Sequence, residues 1–394
     1  MKWHLTQLGA REKYLYPRII NNKGRLGSFS TDMWFRGIDS LPLTGKYSRL
    51  KTRFHSDLDS VNVNTKNLSS LYRMIKPYTG NSFDKWVKQG ESFGNWATKQ
   101  IEKAGLSSDD YIFGYTCGSL EIAKLARERN VKMVLGQCDP GFYWYDIQKA
   151  EAEKWVTDNL DLYIPNKVFK DRVLNEWSLA NTIIVNSIHS KQGLINYGVD
   201  ENKIKILPLV SPMLSENIFD ETKNIKHKIN ILFVGNISFA KGFPYYAEAQ
   251  KILKNDKRFE FYAVGDMHIP SEVIQKQNWN IKFTGRLNQE ELSEFYKKSH
   301  ILVFPTLSEG FGQVQLEAMA YGLPVIATNK CGDVVVDGVN GKIIESCSSK
   351  QIVDAILEIT TNETAYNEIS KKALETVEKF SFPIIQAKFW EIFK

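Results

Sequence analysis

The sequence predicts an α/β protein built of two doubly wound parallel sheets, and three observations predict it. Its 394 residues suffice for two domains at roughly 100–200 residues each. Short apolar runs alternate with amphipathic stretches from end to end, the pattern of parallel sheets covered by helices. The alternation falls into two series separated by a linker-like stretch, SPMLSENIFDETKNIKHK, at 211–228. The expected division is therefore an N-terminal Rossmann-like domain at 1–212 and a C-terminal one at 213–379, with 380–394 returning to the first.

In the first series, strands are expected at 2–8, 27–31, 110–115, 132–137, 181–186 and 203–208. EIAKLARER (121–129) has the helical period and separates two of them. Residues 46–104, rich in Ser, Asn, Lys and aromatics, predict helices without fixing their number. Residues 145–180 read as helix interrupted near Ile164-Pro165. The second series places strands at 229–235, 259–265, 281–285, 301–305, 323–328 and 342–345, with helices such as Gln289–Ser299 and Gln313–Tyr321 between them. FSFPIIQAKFWEIFK (380–394) reads as a closing helix. Doubly wound sheets bind ligands beyond the carboxyl ends of their strands, so the loops after 235, 265, 285 and 305 are where chemistry is expected.

Composition narrows the class. With 43% hydrophobic and 24% charged residues, the chain is ordinary globular protein, which excludes disorder, collagen and coiled coil as readings of the whole. The longest apolar runs, Ile301–Pro305 and Leu323–Ala327, fall far short of the ~20 residues of a membrane span. MKWHLTQLGAREKY offers no signal-peptide core, and a cytoplasmic location is expected. Four cysteines lie far apart without metal-ligand spacing, which predicts reduced thiols and no metal.

Net charge is +6, too small to make nucleic acid the expected partner. Residues 1–60 hold eleven Lys/Arg and five acids and so carry that whole excess. The segment fits a solvated face, an anionic membrane surface or a phosphorylated ligand. Met33-Trp34-Phe35 sits inside it, and like Phe142-Tyr143-Trp144-Tyr145 it fits core packing. Adjacent residues on a helix cannot all face inward, however, so part of each cluster is expected to be exposed for sugar stacking or insertion at a lipid interface.

The most informative stretch is PTLSEGFGQVQLEAMAYGLPVIA (305–327). A buried strand ends at Phe304-Pro305 and a helix starts near Gly312. Gly310 and Gly312 leave amides uncovered there, as a diphosphate site requires. Glu309 fits either a helix-start acid or an acceptor for sugar hydroxyls, and Glu317 lies just over one turn into the helix. Asp57-Leu58-Asp59 follows no buried strand and reads as a solvated loop. Asp139 fits a turn before Pro140 or an acceptor contact.

The spacing Glu309-x7-Glu317 around G-F-G, followed by E-A-M-A-x-G-x-P-V-I-A, resembles the signature of family-four retaining glycosyltransferases, the glycogen-synthase-like, glycosyl transferases group 1 enzymes of GT-B fold. FVGNISFAKG (233–242), FTGRLNQEELSEFYKKSHILVFPT (283–306), CGDVVVDGVNGKII (331–344) and IIVNSIHSKQGLINYGVDENKIKILP (183–208) resemble further parts of that family. The resemblance implies a nucleotide-sugar donor in the second domain. Glu317 would hold the ribose, Glu309 the donor sugar, and Phe311, Gly312 and Gln313 with Gly310 the sugar and diphosphate. Lys241, beside Gly235 and Asn236, would neutralise the departing diphosphate, with no metal or other cofactor.

The chain also departs from the family's pattern. Asn236 stands where many relatives have an Arg, so Arg286 or Arg11 would supply that charge. Of a Gly-rich turn facing the diphosphate only Gly9 remains, and Gln137 is the nearest counterpart of a first-domain His. A glycan or lipid-linked acceptor is implied in the first domain, with retaining transfer between the two. The rival readings are a nucleotide-sugar epimerase or hydrolase on the same architecture, and a non-catalytic sugar-binding protein.

Overall fold

The structure is a computed structural model, and it describes residues 1–38, 40–42, 45–75, 82–156, 164–212 and 223–394. Most of the linker-like stretch and the expected boundary at 212/213 lie outside those residues.

The first sheet contains β1 (Trp3–Gln7), β2 (Leu26–Thr31), β3 (Val63–Thr65), β4 (Tyr111–Tyr115), β5 (Lys132–Gln137), β6 (Thr182–Val185) and β7 (Ile204–Ile206) in the order β3-β2-β1-β4-β5-β6-β7. The second contains β8 (Ile229–Val234), β9 (Phe259–Val264), β10 (Lys282–Gly285), β11 (Ile301–Phe304), β12 (Val325–Thr328) and β13 (Gly341–Ile344), ordered β10-β9-β8-β11-β12-β13. Every ladder is parallel. Strand order reverses between β1 and β4 and between β8 and β11, so both sheets open a crevice there.

Helices of the first half are α1 (Leu15–Asn22), α2 (Asn67–Ile75), α3 (Ser82–Ala104), α4 (Leu120–Glu128), α5 (Phe142–Trp155), α6 (Lys167–Leu179) and α7 (Ile188–Ile195). Those of the second are α8 (Phe243–Ile252), α9 (Ser271–Gln277), α10 (Gln289–Lys298), α11 (Val314–Met319), α12 (Ser349–Ile359), α13 (Glu363–Glu378) and α14 (Phe382–Ile392). Local chemistry sets several boundaries. Asn288 and Glu291 close a reciprocal capping box on α10, while the Asn166 and Ser348 side chains cap α6 and α12.

The central strands read clearly from sequence because both faces are buried, as in β5 and β11. β3 was not expected: three half-buried edge residues leave no alternation to detect. α14 closes back on the first half. Trp3 packs edge-on to Phe393 at 4.9 Å and tilted against Phe389 at 5.5 Å, and Asn22 donates to Gln386 at 3.0 Å. Among the described residues no helix is long and apolar enough to cross a membrane.

Two expectations about the basic segment change. Trp34 is 8% exposed and packs against Tyr14 and Phe54, so it cannot insert into a lipid surface. Nor do the basic residues form one face. Arg11, Arg49 and Arg53 line a cavity at the carboxyl end of the first sheet. Lys2 and Arg25 flank the opposite, amino end, where Trp3 donates to the Arg25 carbonyl. Asp57 and Asp59 lie at the surface, paired with Arg18 and Arg36.

Candidate functional site: a cleft between the two sheets

Two loops from the second sheet are joined at its crevice. The loop after β8 runs from Gly235 to Gly242, and the Ala240 carbonyl accepts from the Leu307 amide at 2.9 Å and the Thr306 hydroxyl at 3.3 Å. Gly242 has φ +66°, and a Cβ there would lie 2.0 Å from the Pro305 carbonyl oxygen. Only glycine permits this approach. The junction brings together two residues 68 positions apart: the Lys241 ammonium donates to Glu309 Oε2. Their side chains are 19% and 24% exposed, so both charges are desolvated yet reachable from the cleft. Burial pushes the Lys241 ammonium down to about 8.

Glu317 lies on α11, where the buried Tyr296 hydroxyl donates to its Oε2 at 2.9 Å. Burial raises its carboxyl, while Tyr296 and then Lys13, reaching from the other half, favour the ionised form. α11 is shorter than expected, six residues instead of nine. Phe311 is buried, its carbonyl taken by the Gly332 amide and the Gln315 side chain. The Gln313 side chain reaches the Val210 carbonyl at 3.4 Å. Gly312 has φ +79° and begins the turn into α11. Asn236 is exposed beside Gly235. Arg286 is 65% exposed and pairs with Asp266 at 3.6 Å, and no described contact joins it to Lys241.

The two halves touch at this wall. A Cβ on Gly310 would lie 1.8 Å from the Cys138 carbonyl oxygen, so the Glu309 loop rests directly on the loop after β5. Ser190 donates to the Gly310 carbonyl at 3.3 Å, and His189 bonds to the Ser308 hydroxyl at 3.0 Å. Burial lowers His189 to about 4, so it is neutral near pH 7. It is a first-half histidine beside the Glu309 loop, but it is buried rather than open to the cleft.

The facing wall differs in detail from expectation. The Gly9 amide is committed to Asp32 Oδ1 at 2.9 Å, so it is not free for a diphosphate. Arg11 is open to the cleft, its guanidinium 3.4 Å from Cys138 Sγ and 5.5 Å from the Tyr115 ring centroid. Gln137 is 4% exposed: its carbonyl oxygen accepts from Thr116 and Trp177, and its amide donates to Asp139 at 2.7 Å. It holds Asp139 rather than facing the cleft itself. Asp139 also accepts from the Gly141 amide at 2.8 Å and lines the first-half cavity. Surrounding protein raises its carboxyl.

Sequence reasoning missed the backbone after Arg11. Glu12, Lys13 and Tyr14 all lie in the left-handed region, with φ of 53°, 50° and 59°. Such non-glycine residues store about 1–3 kcal/mol of strain each. The turn directs Glu12 to the Tyr115 hydroxyl at 2.9 Å and brings Lys13 within electrostatic reach of Glu317. No glycine marks it, so no sequence signal was present.

Residues 215–376 match the family model described as Glycosyl transferases group 1. Over 233 residues the chain is 30% identical to the capsular polysaccharide biosynthesis glycosyltransferase CapM of Staphylococcus aureus, covering 54% of this chain and 60% of that protein. Its fold is similar to sucrose-phosphate synthase of Thermosynechococcus elongatus (TM-score 0.68, 15% identity, 100% of this chain and 98% of that one). It is also similar to Anabaena HepE in complex with UDP and glucose (TM-score 0.61, 15% identity, 100% and 99%). The chain spans about half the length of the curated relatives it matches. The two parallel sheets have the GT-B fold, and the match to glycosyl transferases group 1 falls on the half that carries the second sheet.

Proposed function

We propose that the protein is a retaining glycosyltransferase that moves a sugar from a nucleoside-diphosphate donor to a glycan or lipid-linked acceptor without a metal. The observation that carries this reading is the Lys241–Glu309 pair at the crevice of the second sheet, with Glu317 farther along the same wall. In the free protein the two desolvated charges satisfy each other. A donor would separate them: Lys241 turns to the diphosphate and Glu309 accepts from sugar hydroxyls. Negative charge then grows on the diphosphate as the glycosidic bond breaks, next to a cation already held in place. Arg11, 3.4 Å from Cys138 Sγ in the loop that Gly310 rests on, would add a second positive group from the first half. Asp139, held by Gln137, is the carboxylate placed to meet an acceptor hydroxyl. A lipid-linked acceptor would bring the enzyme to an anionic bilayer.

Glu309→Gln is the direct test. Nucleoside diphosphate affinity is expected to remain within about twofold while turnover falls at least tenfold, and both parent values should persist in excess chelator. Turnover within a factor of two of the parent would reduce Glu309 to a helix-start residue. Complete loss in chelator, restored by magnesium or manganese, would overturn the metal-free assignment. The ribose contact is checked separately. Glu317→Ala should weaken nucleoside diphosphate binding by about 1–3 kcal/mol in calorimetry. Tyr296→Phe, which removes only the hydrogen bond behind Glu317, should cost less. Equal losses would assign Glu317 to packing.

A further inference from the structure

The first half carries a half-open cavity of about 810 Å³ above the carboxyl ends of β1 and β4, lined, among the described residues, by positions between 6 and 145. Among the described residues none of the second half lines it, and it meets the Glu309 loop only through the loop of Cys138 and Asp139. Its charge is one-sided: five basic residues line it against Asp32 and Asp139. Arg53 is paired with Asp32 at 3.0 Å, and Arg11 belongs to the cleft side.

Three cations remain, each from a different element. Arg49 comes from the turn at 45–52, Arg73 from α2 and Lys85 from α3. Arg73 donates to the Ser70 hydroxyl at 3.1 Å, and no carboxylate among the described residues pairs with any of the three. Convergence of unpaired cations raises the local concentration of anions and favours oxyanions, two oxygens of which arginine grips with two N–H groups. A neutral glycan would leave this charge uncompensated. Trp86, 38% exposed, lines the same cavity and packs against Phe83 and Phe169.

We infer that this cavity selects an acceptor bearing an oxyanion, a phosphate or a carboxylate, held by Arg49, Arg73 and Lys85 while its sugar hydroxyl points toward Asp139 and the cleft. The inference rests on the transferase reading for its meaning, but the binding it asserts is independent of transfer. A phosphorylated carrier and an acidic sugar share this chemistry.

Glucose 6-phosphate, glucuronate and glucose serve as probes in ligand-observed NMR at matched ionic strength. The protein is first saturated with whichever of uridine, guanosine or adenosine diphosphate binds best. Glucose 6-phosphate or glucuronate is expected to bind at least tenfold tighter than glucose, and the tighter of the two identifies the oxyanion. The double change Arg73→Gln, Lys85→Gln should erase that margin and leave nucleoside diphosphate affinity within twofold. Arg49→Gln, an exposed position, should reduce the margin at least threefold even if the double variant does not fold. Equal binding of all three probes, loss of anion binding when the nucleoside diphosphate is present, or an unchanged margin in the variants would overturn the inference. If no nucleoside diphosphate binds, the donor-site reading fails, and the probes measured without it still decide this one.

Discussion

Lys241→Gln is expected to lower sugar transfer by about 10²–10³-fold, the range seen when one preorganised group facing developing negative charge is removed. Gln keeps a donor for Glu309, so the loss reports charge rather than an orphaned carboxylate. The pH dependence supplies a second readout. Burial holds the free Lys241 near 8, so it is charged below that pH and neutral above it. A bound diphosphate favours the charged form and raises the value. Nucleoside diphosphate affinity should therefore be flat up to about pH 8 and then fall, approaching tenfold per pH unit. The Gln variant should show no such fall. An unchanged turnover, or the same pH profile in both proteins, would remove Lys241 from the diphosphate site.

Gly242→Ala is expected to destabilise the protein by about 2–5 kcal/mol. Placing a Cβ on a left-handed residue costs about 1–2 kcal/mol, and forcing an atom into a packed contact costs about 1–3 kcal/mol more. Here that contact is the Pro305 carbonyl oxygen, 2.0 Å from the new Cβ. Gly198→Ala is the control, since its φ is +81° but nothing lies within 4 Å. It should show only the backbone component. Urea unfolding of both variants measures the difference. If the two midpoints shift equally, the junction of the 235–242 and 305–309 loops is pliable and does not fix Lys241.

The two-series α/β pattern and the candidate donor-side residues are legible in the sequence alone. Strands buried on both faces, such as β5, β8 and β11, appear as short apolar runs whatever surrounds them. Glu309, Gly310, Gly312 and Glu317 were legible because they share one strand–loop–helix segment, where chemistry and local backbone requirement coincide. Tertiary structure decided the rest. The contacts Lys241–Glu309 and Gly310–Cys138 join segments distant in the chain, and hydrophobic periodicity contains no term for such pairings. Sequence left open which member of Met33-Trp34-Phe35 is exposed, and packing of Tyr14 and Phe54 buries Trp34. Gln137 and Asp139 lie two residues apart in one short motif, and only the hydrogen bonds of Gln137 to Thr116 and Trp177 turn its amide inward and leave the carboxylate at the cavity. The basic character of residues 1–60 was visible as a sum of charges. Its direction was not: a charge count has no orientation, and only the doubly wound topology brings Arg49, Arg73 and Lys85 to one cavity at one end of the sheet while leaving Lys2 and Arg25 at the other.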